Sequence, residues 1–87
     1  MVKHNVEIAG IVRETWSTAL DRPNLEESSD FFVAGGHSLV ASRMMYILRE
    51  RLGTKISMRT LFENPTLGAF TNAVCQKMSL DGEEFID

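Results

Sequence analysis

One serine stands where a hydroxyl could be put to chemical use. In Phe31-Phe32-Val33-Ala34-Gly35-Gly36-His37-Ser38-Leu39, two adjacent glycines allow a tight turn, two phenylalanines can anchor the incoming chain in a core, and Ser38 opens an apolar-periodic segment. A serine so placed can either act as a nucleophile or be modified by another protein. Nucleophilic catalysis needs a base, an oxyanion hole and a pocket that excludes water. A hydrolase elbow reads Gly-x-Ser-x-Gly, whereas Gly36-His37-Ser38-Leu39-Val40 has valine in place of the second glycine. His37 adjoins Ser38 in sequence, which is not how a base is placed in space, no Ser-x-x-Lys follows, and His4 lies near an untethered terminus. No catalytic residue is therefore assigned. An attachment site needs no base of its own, because the modifying enzyme brings one, and the backbone N–H groups at a helix start would favour a phosphate ester on Ser38.

The remaining composition narrows the setting. The 87 residues suffice for one small domain, in which about 60% of the unfolded surface becomes buried. Hydrophobic residues at 44% and charged residues at 24% are ordinary for a globular chain and argue against disorder. A net charge of −3 leaves no basic surface for neutralising nucleic-acid phosphates. The single cysteine, Cys75, cannot close an internal disulfide and reads as a small apolar helix residue, and no Cys/His spacing suits a metal. Met1-Val2-Lys3-His4-Asn5 lacks the apolar core of a signal peptide, and no run is long enough to span a bilayer, so a cytoplasmic protein is expected.

The elements that must position Ser38 can be read in order. Ile8, Ile11, Val12, Trp16, Ala19 and Leu20 follow helical spacing over residues 6–20, with Asn5 as the expected cap, Trp16 as a core anchor, and Asp21-Arg22-Pro23 as the end. From Asp21 to Gly36 there is no sustained period. A long ordered loop is expected, with Leu25, Phe31 and Phe32 docking as apolar pegs and Glu26, Glu27 and Asp30 as solvated surface. Residues 38–52 form the clearest helix, closed by Gly53. At about 100° per residue, Val40, Ala41, Met44, Ile47, Leu48 and Leu52 share the core arc. Ser38, Leu39, Ser42, Arg43, Tyr46, Arg49 and Glu50 face outward, and Arg51 sits at the arc's edge with its stem on the core and its head in water. Leu39 and Tyr46 on that face can mark a partner surface or be scattered surface apolar groups. Ser57 to Phe62 can make about one turn, and Thr66 can cap a last helix through about Met78, with Leu67, Phe70, Val74 and Met78 on one stripe. Ser79 to Asp87 reads as an acidic, frayed tail. The fold expected is an all-α bundle of three main helices and a short one, forming a single domain over residues 1–87 with its core in 5–78.

With these elements in place, Phe31-Phe32, Gly35-Gly36-His37-Ser38-Leu39, Leu48-Arg49-Glu50-Arg51-Leu52-Gly53 and Leu61-Phe62-Glu63-Asn64-Pro65-Thr66 together resemble a peptidyl carrier protein, the thiolation domain of non-ribosomal peptide synthesis. The likeness runs from about Asp30 to Phe70, and a preceding helix with a tryptophan is also as that family has it. The resemblance implies a four-helix, acyl-carrier-like bundle that is not an enzyme. It implies that Ser38, supported by Gly35, Gly36, His37 and Leu39, receives 4′-phosphopantetheine from coenzyme A through a phosphopantetheinyl transferase. The thiol of that arm would hold an aminoacyl or peptidyl thioester. An adenylation enzyme would load it, and condensation, tailoring or thioesterase enzymes would use it, meeting a monomer through Leu39, Ser42, Arg43 and Tyr46.

His37 before the serine resembles peptidyl carriers, whereas aspartate is frequent there in fatty-acid and polyketide carriers. Arg43, Arg49 and Arg51 also set the second helix apart from the acidic helix of those acyl carriers, which remain the alternative within the class, with a helical interaction module as the alternative outside it. Two positions depart from the family pattern: Ser29 stands where aspartate is common, with Asp30 one place later, and Ala34 stands where leucine is common, so a looser loop is expected. The short charged end after Met78 resembles a natural terminus, which favours a free-standing carrier.

Overall fold

The computed structural model describes residues 5–84, with side chains for 5–79. Four helices follow in order, α1 (Asn5–Leu20), α2 (Ser38–Leu52), α3 (Met58–Glu63) and α4 (Leu67–Glu84). Among the described residues there is no strand, only an isolated antiparallel bridge between Asp30 and Thr66. His4, Phe85, Ile86 and Asp87 lie outside the described residues.

The apolar spacing of α1 turns Ile8, Val12, Thr15 and Trp16 inward, and Ile11, Ala19 and Leu20 flank them. Asn5, the first described residue, is itself helical and not a preceding cap. The helix stops because Asp21 adopts a left-handed φ of +55° and the Arg22 N–H reaches back 3.1 Å to the Ser17 carbonyl, the 6→1 bond of a Schellman ending. Pro23 then prevents any resumption.

α1 packs on α2 and α4, and α3 bridges α2 and α4. Trp16 sits at the centre, fully buried, edge-on to Phe31 with ring centroids 5.0 Å apart and tilted against Phe70 at 5.6 Å. Among the described residues no group accepts a hydrogen bond from its indole N–H. Leaving that donor unpaired costs about 1–3 kcal/mol, less than the roughly 4–6 kcal/mol from burying an indole-sized surface, so size decides the residue.

The core arc of α2 differs from the expected one. Ala41, Met44, Met45, Leu48 and Leu52 are buried, Val40 packs against them half-buried, and Ile47 is half-buried without joining the core. Seen from Leu48, Met45 lies only about 60° round the helix whereas Ile47 lies about 100° away, so coverage centred on Leu48 encloses Met45 first. Gly53 closes α2 at φ +68°, its N–H donating to the Arg49 carbonyl at 2.8 Å. Arg51 keeps its head at the surface, where it pairs with Glu14 at 2.9 Å and donates to the Thr15 hydroxyl at 3.3 Å, tying α2 to α1. The last helix runs on past Met78 to Glu84. Its apolar stripe holds: Leu67, Phe70 and Val74 are buried and Met78 and Cys75 pack beside them. Burial pushes the Cys75 thiol above its ordinary pKa.

Candidate functional site

The loop that leads to Ser38 is pinned along its length. Leu25 is buried, and the Arg13 guanidinium holds it from outside by donating to the Leu25 carbonyl and to the Glu27 carboxylate, the latter at 3.3 Å. The carbonyls of Glu27 and Ser29 accept from the N–H groups of Gly68 and Leu67, both at 2.9 Å, and the Phe31 N–H donates to the Pro65 carbonyl at 2.8 Å. These loop carbonyls satisfy donors that the first turn of α4 would otherwise leave unpaired, and the Thr66 hydroxyl accepts from Ala69 N–H at 3.4 Å. Ser29 also closes its own stretch, accepting from Glu26 N–H at 2.9 Å.

Residues 31–35 form one helical turn inside the loop. Asp30 caps it: its Oδ1 accepts from the N–H groups of Phe32 at 2.9 Å and Val33 at 3.1 Å, and its carbonyl accepts from Ala34 N–H at 2.9 Å. Of the acidic run, Glu26 and Glu27 are exposed as expected, Glu27 in a surface pair with Arg13, whereas Asp30 is half-buried. Gly35 ends the turn at φ +109°, a conformation that glycine tolerates and other residues resist. The two phenylalanines divide their work. Phe31 is wholly buried against Trp16, whereas Phe32 is half-buried and stacks on the exposed ring of Phe62 from α3, with centroids 5.5 Å apart and planes at 16°. Phe32 thus packs against the core from its edge, with its ring also edge-on to Phe31 at 5.5 Å, and carries the stack on Phe62 at the surface.

Past the turn the chain enters α2. His37 is extended at φ −99°, ψ −179°, its carbonyl accepts from Ala41 N–H at 2.8 Å, and its side chain is exposed and caps nothing. Ser38 is the first residue of α2 and exposed, and among the described residues no group hydrogen-bonds its hydroxyl. The opening amides of α2 thus lack a side-chain acceptor beside a free hydroxyl, a donor set that fits a phosphate ester on Ser38. Leu39, Ser42, Arg43 and Tyr46 are all exposed on the same side of α2, with Leu39 and Tyr46 each 63% exposed. Arg49 is drawn off toward the following loop, its Nε donating to the Ile56 carbonyl at 2.8 Å.

Gly35, Gly36, His37, Ser38 and Leu39 lie together because they are contiguous in the chain. Sequence reasoning missed the cap at Asp30 and the Phe32–Phe62 stack. The cap had a signal, an aspartate just before the turn it begins, while the stack joins two distant segments and had none.

A pinned loop delivers an exposed serine to a helix start within a four-helix bundle, the arrangement expected of a carrier domain. Comparison with known proteins agrees. The family model "Phosphopantetheine attachment site" matches residues 10–74, and the chain belongs to that family, whose members carry covalently attached 4′-phosphopantetheine. Malpinin synthetase of Mortierella alpina is 38% identical over 68 residues, covering 78% of this chain and 1% of the synthetase. A linear gramicidin synthase of Brevibacillus parabrevis is 38% identical over 61 residues, covering 70% of this chain and 1% of that polypeptide. The chain thus spans only a small fraction of the length of these relatives. BlmI, a type-II acyl-carrier protein of Streptomyces verticillus involved in bleomycin biosynthesis, shares the fold with a TM-score of 0.78 at 23% identity over 84% of this chain and 88% of BlmI. The chain is a phosphopantetheine-carrying domain, similar over most of its length to parts of these synthetases. Among the described residues no helix is long and apolar enough to cross a membrane.

Proposed function

We propose that Ser38 is the residue that receives 4′-phosphopantetheine and that this domain carries an amino acid or peptide between enzymes of a non-ribosomal peptide or related pathway. The supporting observation is the exposed Ser38 hydroxyl at the opening of α2, next to amides that no side chain caps and with no base of its own. A phosphopantetheinyl transferase supplies the base: the Ser38 oxygen forms a phosphoester with the pantetheine phosphate of coenzyme A while its bond to the adenosine-bearing phosphate breaks. The bound arm supplies a thiol that holds the cargo as a thioester and keeps it at high effective concentration near partner sites. Gly35 and Gly36 shape the approach, His37 leaves the helix start open, and Leu39, Ser42, Arg43 and Tyr46 form the face that an adenylation enzyme and condensation, tailoring or thioesterase enzymes meet. The domain works as a monomer in the cytoplasm.

The peptidyl role is favoured over an acyl role by Arg43, which shares the exposed face with Ser38, and by similarity to peptide synthetases. Incubation with coenzyme A and a broad-specificity phosphopantetheinyl transferase, followed by intact mass, tests the assignment. A gain of one phosphopantetheine that disappears in Ser38→Ala is expected; no gain in the unaltered protein overturns it.

A further inference from the structure

Asp30 lies outside the attachment motif, yet three separate ties of the loop meet there. Its carboxylate accepts from the N–H groups of Phe32 and Val33, its carbonyl accepts from Ala34, and its backbone bridges to Thr66 beside the Phe31–Pro65 and Leu67–Ser29 bonds. One residue thus fixes where the helical turn begins and anchors that start to the junction of α3 and α4.

The consequence reaches Ser38 through a short and fully bonded path. The turn that Asp30 opens is closed by Gly35 N–H on the Phe32 carbonyl at 3.3 Å and Gly36 N–H on the Phe31 carbonyl at 2.9 Å. Gly36 then lies against the Phe31 ring, and Ser38 follows after His37, whose side chain makes no cap bond that could hold the helix start by itself. With no local side-chain cap on α2, the position of Ser38 is inherited from the turn before it.

We infer that Asp30 is a positioning residue for modification of Ser38: it holds the approach to α2 in the conformation that the transferase binds, through the two hydrogen bonds its side chain accepts. This rests on Ser38 being the attachment residue. Without the cap the turn opens part of the time, and the competent fraction of the carrier falls. The apparent affinity for the transferase drops by that fraction while the chemical step in the bound complex stays the same.

The test measures transferase kinetics with the whole chain as substrate. Asp30→Ala is expected to raise KM for the carrier by about twofold, the fall in competent fraction when a mostly closed turn becomes half open, with kcat and the KM for coenzyme A unchanged. Asp30→Asn keeps the Oδ1 acceptor and is expected to restore KM. Val74→Ala, which weakens the core without touching the loop, controls for lost stability and is expected to leave KM unaltered.

A readout that needs no transferase is amide hydrogen exchange. Phe32 and Val33 are expected to be protected in the unaltered protein and in Asp30→Asn, and to exchange faster in Asp30→Ala. An unchanged KM in Asp30→Ala, failure of Asp30→Asn to restore it, or unprotected Phe32 and Val33 amides in the unaltered protein each overturn the inference, the last without any variant having to fold. If the unaltered protein takes up no phosphopantetheine, the attachment reading fails. If it does and Asp30→Ala matches it in KM, only the positioning role fails.

Discussion

Gly36 lies flat on the ring of Phe31. A Cβ built on Gly36 would stand 2.2 Å from both Cδ2 and Cε2 of Phe31 and 2.7 Å from the Phe31 carbonyl oxygen, which already accepts from the Gly36 N–H at 2.9 Å. The glycine is needed for closeness and not for a left-handed backbone, which at this turn belongs to Gly35. Because Phe31 is itself wedged on Trp16, the ring has no free space to retreat into.

Gly36→Ala is therefore expected to destabilise the protein by about 2 kcal/mol or more, in the range of an overpacked core. Urea unfolding followed by Trp16 fluorescence reads the loss. A change below about 0.5 kcal/mol would show that the loop shifts freely and that the contact does not fix it.

The adjacent phenylalanines should differ sharply when truncated. Phe31→Ala removes a fully buried ring and is expected to cost about 3–5 kcal/mol. Phe62→Ala removes the exposed partner of Phe32 and is expected to cost about 1 kcal/mol, the worth of one aromatic pair. Equal losses in the two unfolding curves would contradict the division between core and surface.

Leu39→Asp and Tyr46→Asp change residues that are 63% exposed, so helical circular dichroism is expected to stay the same. If this face meets partners, turnover of the loaded carrier by a condensation or adenylation enzyme should fall on the order of tenfold. Unchanged turnover in both variants would remove the face from the partner surface.

Cys75 gives a pH-dependent prediction. Desolvation in the half-buried site raises its pKa above the ordinary 9.0, so the folded state holds the proton longer than the unfolded chain does. At pH values above about 9 the unfolded state binds fewer protons, and this group's contribution to stability declines as pH rises further. At pH 8 the folded protein carries less thiolate, and iodoacetamide is expected to alkylate Cys75 more slowly in buffer than in denaturing urea. Equal rates would show the thiol to be free of its surroundings.

What the sequence by itself determined was local in origin. Helical spacing located α1, α2 and α4, Gly53 marked the close of α2, Pro23 lay beyond the end of α1, and the contiguous Gly35-Gly36-His37-Ser38 placed a serine at a helix start. Each of these depends on groups within a turn or two of one another, so the order of residues carries the information. Contacts between distant segments were decided only by the tertiary structure. It chose Met45 over Ile47 for the core, buried Phe31 while leaving Phe32 to stack on Phe62, and used the carbonyls of Glu27 and Ser29 to cap α4. It also turned Asp30 from an apparent surface acid into the cap of the turn before Ser38. Periodicity says that a side chain is apolar and which way its helix turns. Which neighbour covers it depends on how elements far apart in the chain are packed, and a one-dimensional pattern does not contain that.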